Sequence, residues 1–566
     1  MLKPVLFSCL KNYNRSTFLA DLGAGLTVGV VALPLAMAFA IACGYREITP
    51  ATGLVTAIVA GLLISLFSGS KFQIGGPTGA FVVLIASVVG RFGMGGLLCC
   101  TLMAGLFLVL FGVFRMGALI RFIPFPVTTG FTSGIAVTIF CTQVKDLLGL
   151  SIPEGSAIPA DFLGKWQCYF AHLDTFNPWA LGLTLLTIGI IVLVRRWSPR
   201  LPAMLIGMLA ATAVFVMFDL DTCGVRDIRS QFGALPAGLP LPTLPNFEWS
   251  ALPELVQPAL VIALLAAIES LLSASVADGM TGSRHKPNAE LVAQGIGNIG
   301  SAFFGGLPAT GAIARTATNI KAGGRTPVSG VIHAATLLVI LVVAGPYAAM
   351  VPLPALAGIL AVVCWTMADV PNFANLLRGP RPDAAVLVIT FLLTVIFDLV
   401  LAVEVGVVLA ALLFIGRMAQ ISGVKSLRDE ALGVDEEEDP SRSLALRDVP
   451  PGVEVFDIQG PFFFGAVEQF KDIVLKTLDR DVRCVILRMR LVPALDATGL
   501  HVLEDFLARC RAHNVELLLC GVQPQPRDVI RHAPMYRELR PSHICENIDA
   551  ALERARQLGA GGNRTA

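Results

Sequence analysis

The apolar run Val261-Ile262-Ala263-Leu264-Leu265-Ala266-Ala267-Ile268 ends in Glu269, a carboxylate inside an otherwise hydrophobic segment. On insertion scales a charge at the centre of a membrane helix costs about 2.5–3.5 kcal/mol, so such a residue faces a cavity or a partner. Ser273, four residues on, shares its helical face. Arg315 is the natural positive counterpart, either for Glu269 or for a bound anion. An ion pair with Arg315 would keep Glu269 charged and make it a gate or a cation ligand, whereas burial alone would make it a proton carrier. The plain structural alternative is a buried pair that only locks helices together.

A second signal lies in a repeated motif. Gly75-Gly76-Pro77-Thr78-Gly79-Ala80 is echoed by Gly305-Gly306-Leu307-Pro308-Ala309-Thr310-Gly311-Ala312. Proline suits a first helical turn because its missing N–H would be unpaired there anyway. The pattern predicts helices that begin at Pro77 and Pro308 inside the bilayer, with two free N-termini facing each other. Their unpaired N–H groups and positive dipole ends form a site for an anion. Gly76, Gly79, Gly311 and Ala312 let a ligand reach the backbone. Thr78 and Thr310 add hydroxyls, although a threonine in a membrane helix commonly bonds its own backbone.

These residues need a membrane fold to hold them. The 566-residue chain is 55% apolar and only 15% charged, against about 25% charged in soluble domains, and its mean hydropathy is +0.73. A net charge of +1 leaves no nucleic-acid footprint. The 12 cysteines, without paired spacing, exclude a disulfide scaffold and a zinc module. Apolar stretches recur between residues 21 and 420 and read as about fourteen crossings. The two motifs fall in the third and the tenth, equivalent places in a seven-plus-seven repeat. Seven is odd, so the second half (about 251–420) runs inverted relative to the first (about 21–220), the plan of secondary transporters.

Lys71, Arg195, Arg196, Lys321, Arg325, Arg378 and Arg381 share a side with residues 1–20, which makes both termini cytoplasmic. Asp278, Arg284, His285 and Lys286 then form a solvated cytoplasmic turn. A cleaved secretory signal over residues 3–40 would invert every later loop and break this agreement. Glu404, near the outer end of the fourteenth crossing, reads as solvated or capping. Cys168 and Cys223 fall on outside segments and are the candidates for a disulfide.

After Gln420 the composition turns charged. Residues 421–442, with the acidic run 435–439, read as a linker. Residues 443–560 read as an α/β domain, with a half-buried strand at 453–458, buried strands at 484–487 and 517–520, and helices at 470–478, 501–512 and 548–557.

No HExxH, GxSxG, Walker A or dinucleotide fingerprint occurs in a suitable context, so nothing implies an enzyme, a metal or a cofactor. The motifs instead resemble those of the SulP/SLC26 anion transporters: Leu33-Pro34 in the first crossing, Gly76-Pro77-Thr78-Gly79 in the third, the Asp278-Gly279-Met280-Thr281-Gly282 turn, Gly295-Ile296-Gly297-Asn298, and Arg315 in the tenth. The tail resembles a STAS domain, with Leu495-Asp496-Ala497-Thr498-Gly499-Leu500 as its signature loop.

The resemblance implies a polytopic α-helical membrane protein of core and gate domains that moves as an elevator, commonly a homodimer, followed by a cytoplasmic α/β STAS domain. It implies a site among the first, third, eighth and tenth crossings. There Phe39, Gly76, Pro77, Thr78, Gly79, Thr310, Gly311, Ala312 and Arg315 fall on substrate-binding positions, and Glu269 and Ser273 on ion-coupling positions. Sodium-coupled bicarbonate members carry aspartate and threonine in place of Glu269 and Ser273, which favours protons over sodium here. In the tail, Asp496 and Thr498 are regulatory candidates. Ala497 stands where anti-sigma-antagonist STAS proteins carry a phosphorylated serine, so that switch is not expected.

The sequence therefore predicts a secondary transporter of the cytoplasmic (inner) membrane, surrounded by lipid, that takes up a small oxyanion with protons. Sulfate, a C4-dicarboxylate and bicarbonate all fit, and the STAS domain offers a surface to a cytoplasmic protein partner. The rivals are an uncoupled anion channel, exchanger or voltage-responsive motor on the same fold, and a membrane anchor or sensor acting through the tail. Intramembrane charges at broken helices count against an anchor, which has no use for their cost.

Overall fold

The computed structural model describes residues 3–11, 13–118, 124–152, 159, 161–198, 201–234, 236, 238–245, 252–397, 402, 405–406, 408–409, 411–413, 423–426, 449–463, 470 and 482–561. The chain divides into two compact units, Met1–Ala410 and Ala411–Ala566.

In the first unit, α1 (Val5–Leu10) leads into α2 (Arg15–Ala42), where the Asn14 side chain caps the helix by accepting from Thr17 N at 2.8 Å. Helix α3 (Pro50–Phe67) has a proline in its first turn. A two-residue strand, β1 (Gly75–Gly76), and a 3-10 turn at Gly79–Phe81 precede α4 (Val82–Val113). At about 1.5 Å per residue α4 is too long for one crossing. Gly93, at φ 66°, breaks it into the expected third and fourth crossings. Helices α5 (Phe125–Leu148), α6 (Phe162–Ala171), α7 (Pro178–Trp197), α8 (Ala203–Met217) and α9 (Ile228–Phe232) complete the first half.

The second half repeats the order. It runs through α10 (Leu252–Thr281), α11 (Pro287–Phe303), strand β2 (Thr310–Gly311), α12 (Ile313–Lys321), α13 (Val328–Ala348), α14 (Leu353–Ala368), α15 (Val370–Leu377) and α16 (Arg381–Ile396). Among the described residues, 8 helices are long and apolar enough to cross a bilayer. The fourteenth crossing is described only in part, and Glu404 lies outside the described residues.

The halves interlock by exchange. Helix α11 packs on α4 as α3 packs on α13, and α10 lies against α4 as α2 lies against α13. Swapping the halves reproduces the same contacts, the mark of inverted repeats. The helices sort into two packing groups, α2–α4 with α10–α13, and α5, α7 and α8 with α14 and α16. Gly295 of α11 lies against the Gly105 carbonyl of α4 with no room for a side chain, the close approach that small residues permit in membranes. Buried Asp21 ties the halves at one end: its carboxylate accepts from Arg325 N at 2.7 Å, Thr326 N at 3.0 Å and Tyr13 OH at 3.1 Å. Cys168 and Cys223 are both free thiols.

The second unit holds a five-stranded sheet in the order β3 (Gly423–Ser426), β4 (Val453–Gln459), β5 (Cys484–Leu491), β6 (Glu516–Cys520), β7 (Ile544–Cys545). Strand β3 is antiparallel to β4 and the rest are parallel. Gly423–Ser426, which composition places in the linker, is thus an edge strand. Strand β4 is not half-buried as its alternation suggests. Phe456 and Ile458 pack with residues of helix Ala497–Ala512 on one face, and Val453 and Val455 with helix Ile548–Gly561 on the other. A parallel strand covered on both faces buries every position, here Glu454 and Asp457 as well. The helix expected at 470–478 lies outside the described residues apart from Phe470.

Burial pushes the thiols of Cys484, Cys510 and Cys520 up to about 12. At pH 8 only about one thiol in ten thousand is then ionised, and the thiolate is the nucleophile. In the native full-length chain these three cysteines are expected to resist iodoacetamide at pH 8 while exposed Cys223 reacts. Peptide mass spectrometry before and after urea checks this, and native labelling of Cys510 would contradict the packed core.

Candidate functional site

The two broken crossings meet as a minimal antiparallel sheet, with Gly75 opposite Gly311 and Gly76 opposite Thr310. The pairing extends beyond the strands: Ala312 N donates to Ile74 O at 2.9 Å, and Ile74 N donates to Thr316 Oγ1 at 3.1 Å. Pro77 and Pro308 therefore do not begin helices, contrary to the sequence expectation. The chain is still extended at Thr78 (φ −129°, ψ 160°) and Ala312 (φ −89°, ψ 115°), and helical turns begin only at Gly79 and Ile313. Cross-pairing of the two segments uses the N–H and C=O groups that a helix would otherwise have satisfied within itself.

Glycine is required at two points of this bridge. A Cβ on Gly311 would fall on the Gln73 side-chain amide, and one on Gly76, whose φ is +154°, would strike the Arg315 guanidinium. Helix α10 braces the bridge from one side. Ser270 Oγ lies 2.7 Å from Thr310 Oγ1 and accepts from Gly311 N at 3.0 Å, while Thr310 Oγ1 donates to Ala266 O at 3.0 Å. Gln73 Nε2 donates to Ser270 O at 3.2 Å, and Ser273 Oγ donates to Thr316 Oγ1 at 3.1 Å. Thr310 and Ser273 are fully buried, with their hydroxyls engaged in this scaffold.

Arg315 is 2% exposed. Its Nη2 donates to Pro77 O at 2.9 Å, and its buried Nη1 has no hydrogen-bond partner among the described residues. No ion pair joins it to Glu269 among those residues. Glu269 is only partly buried, and its Oε2 accepts from Thr78 Oγ1 at 3.2 Å. The guanidinium and the carboxylate thus attach to adjacent residues of one extended segment, Pro77 and Thr78, instead of to each other. Phe39, Ile139 and Met367 close around Gly79, which brings α2, α5 and α14 to the same place.

Composition alone overlooks the residues that make the bridge rigid. Gln73, Ser270 and Thr316 are three of them. Asn298 holds Ala309 with Nδ2 on its carbonyl and Oδ1 on its N–H, both at 2.8 Å, and Asn319 Nδ2 donates to Phe72 O at 3.0 Å. Their signal is available in the sequence, as carboxamides and hydroxyls in apolar crossings whose only use is to satisfy irregular backbone. In the tail, Asp496 is the N-cap of helix Ala497–Ala512, accepting from Gly499 N at 2.7 Å, and Thr498 is exposed.

Two inverted halves joined through broken crossings, with a buried cation at the join, define a polytopic membrane transporter. Residues 18–390 match the Sulfate permease family and residues 446–551 match the STAS domain. The chain belongs to that family of anion transporters, SulP/SLC26, and is not an enzyme. The Bacillus subtilis protein YvdB, whose name proposes sulfate transport, is 40% identical over 539 residues, covering 95% of this chain and 98% of that one. The bicarbonate transporter BicA of a Synechocystis strain is 32% identical over 556 residues, covering 94% of each. The solved structure of SLC26A9 superposes with a TM-score of 0.87 over 100% of this chain and 94% of that one, at 18% identity, a likeness of fold.

Replacing Ser270 with alanine removes the acceptor of Gly311 N and the hydroxyl partner of Thr310 at once. A buried donor left unpaired costs about 1–3 kcal/mol. The full-length Ser270→Ala chain in detergent is expected to melt several degrees lower, and an unchanged melting curve would mean that α10 does not brace the bridge.

Proposed function

We propose that this transporter takes up a small oxyanion together with protons, by an elevator-type movement of the α2–α4 and α10–α13 group against the α5, α7, α8, α14 and α16 group. The observation that carries the reading is Arg315: a guanidinium held at the crossing point by the Pro77 carbonyl, with one buried nitrogen still free to donate. A planar donor at that place suits sulfate, a dicarboxylate or bicarbonate, in line with the names of the relatives. Gly76, Pro77, Thr78, Gly79, Gly311 and Ala312 supply the backbone around the anion, with Phe39 against Gly79, and Thr310 supports them from beneath.

Glu269 is the coupling group in this reading. Its carboxylate is free of Arg315 and bonded only to a threonine hydroxyl among the described residues, so a proton can come and go without breaking an ion pair. Ser273, fixed on Thr316, keeps α12 aligned with α10. The chain sits as a homodimer in the inner membrane with both termini cytoplasmic, the STAS domain serves a cytoplasmic partner, and Asp496 and Thr498 lie at its regulatory loop.

The test is uptake of labelled sulfate, succinate and bicarbonate into proteoliposomes, with and without an inward proton gradient. One of the three is expected to accumulate only with the gradient. Glu269→Gln should abolish that dependence while leaving exchange of the anion, and Arg315→Gln should lower uptake at least tenfold. An anion that equilibrates without responding to the gradient would move the protein to the channel or exchanger class.

A further inference from the structure

In the turn between α10 and α11, Arg284 and Lys286 are exposed as expected, whereas Asp278 and His285 are tied into a built structure. Asp278 Oδ1 accepts from Ser283 Oγ at 3.0 Å, and its Oδ2 accepts from His285 N at 3.0 Å and meets His285 Nδ1 at 2.6 Å. Gly282 N donates to Asp278 O at 2.8 Å, and Lys286 N to Gly69 O at 3.0 Å. The His285 side chain is only 4% exposed, and its Nε2 has no hydrogen-bond partner among the described residues. Ser275, Asp278, Ser283, Arg284 and His285 line a cavity of about 470 Å³, large enough for a small anion with several waters.

The charges of this cavity favour an anion. Both oxygens of Asp278 are taken by donors of the turn itself. Arg284 is exposed and makes no ion pair among the described residues, so its guanidinium is the surplus charge. The hydroxyl of Ser275 adds a donor at the cavity, while that of Ser283 is committed to Asp278. Other charged groups near the histidine are Lys286 on the same turn, whose Nζ donates to Lys3 O at 3.1 Å, and Glu290 on α11, whose carboxylate is occupied by Ser68, Gly69, Ser70 and Gln294. Ser275 and Asp278 belong to the helix that carries Glu269, and nine residues of α-helix separate Asp278 from Glu269 by about 13 Å.

We propose that this turn is a second oxyanion site, distinct from the one at Arg315, in which Arg284 supplies the charge, Ser275 a hydrogen bond, and the Asp278, Ser283 and His285 cluster the fixed wall. On the cytoplasmic orientation given above, it receives an oxyanion on the inner side of the transport path. The same tetrahedral or planar oxyanion could come from solution, as the transported species, or from a lipid headgroup phosphate.

Binding of labelled sulfate to the full-length chain in nanodiscs of zwitterionic lipid tests this without requiring transport. Wild type should bind two equivalents, Arg315→Gln one, and Arg284→Gln in the Arg315→Gln background none, or one weakened at least tenfold, with Arg284→Lys restoring part of it. If anionic lipid in the nanodisc displaces the sulfate bound to Arg315→Gln, the oxyanion is a headgroup phosphate; if it does not, the site takes the soluble anion. Failure of the Arg315 reading would appear separately, as two equivalents retained by Arg315→Gln and one lost on Arg284→Gln. Sulfate bound to Arg315→Gln with the same affinity whether or not Arg284 is present, or no binding to Arg315→Gln at all, would overturn the second site.

Discussion

Backbone polarity in a medium without water is the constraint on which this fold rests. A chain that leaves helical geometry within a bilayer exposes N–H and C=O groups that lipid cannot satisfy, and each costs several kcal/mol. Here two such interruptions occur, and each supplies the partners the other lacks, Gly75 and Gly76 against Gly311 and Thr310. Neither half can complete itself. The crossing contacts of α3 with α13 and of α11 with α4 follow, since bringing the two breaks together forces the flanking helices of one half between those of the other.

That constraint also makes a place for a charge. Arg315 is anchored by the Pro77 carbonyl, which lies before the first helical turn, where the chain is still extended at Thr78. The cost of burying its guanidinium is met partly by that bond, and the remaining nitrogen is left as an oriented donor at a point that no side chain on Gly76 obstructs. The buried donor and the architecture are the same feature seen from two directions. A helix running unbroken through residues 75–80 would satisfy its own backbone and offer an anion nothing.

Much of this was legible in the chain. Glycine-proline motifs at equivalent places gave the inverted repeat, and long apolar runs gave the crossings, because hydrophobic length and odd repeat number are properties of sequence alone. The position of the helix starts was not legible. Proline at a first helical turn is a local preference, whereas the segments beside Pro77 and Pro308 pair with each other, Gly75 and Gly76 against Gly311 and Thr310, across more than two hundred residues, which no local rule sees. Glu269 and Arg315 were found as charges out of place, yet the sequence left open whether they pair, since that turns on whether Thr78 and the Pro77 carbonyl reach them first. In the tail, Val453–Gln459 read as half-exposed because Glu454 and Asp457 interrupt its apolar pattern, while covering layers on both faces bury them all the same.

Strand β3 changes what the acidic stretch after it is for. Strands β3 and β4 are hydrogen-bonded neighbours, with Ser426 opposite Phe456, although the acidic stretch separates them in the sequence. Both ends of the excursion are therefore pinned to one rigid body. Insertions or deletions between Ser426 and Val453 therefore act within that sheet, between two strands whose pairing fixes both ends.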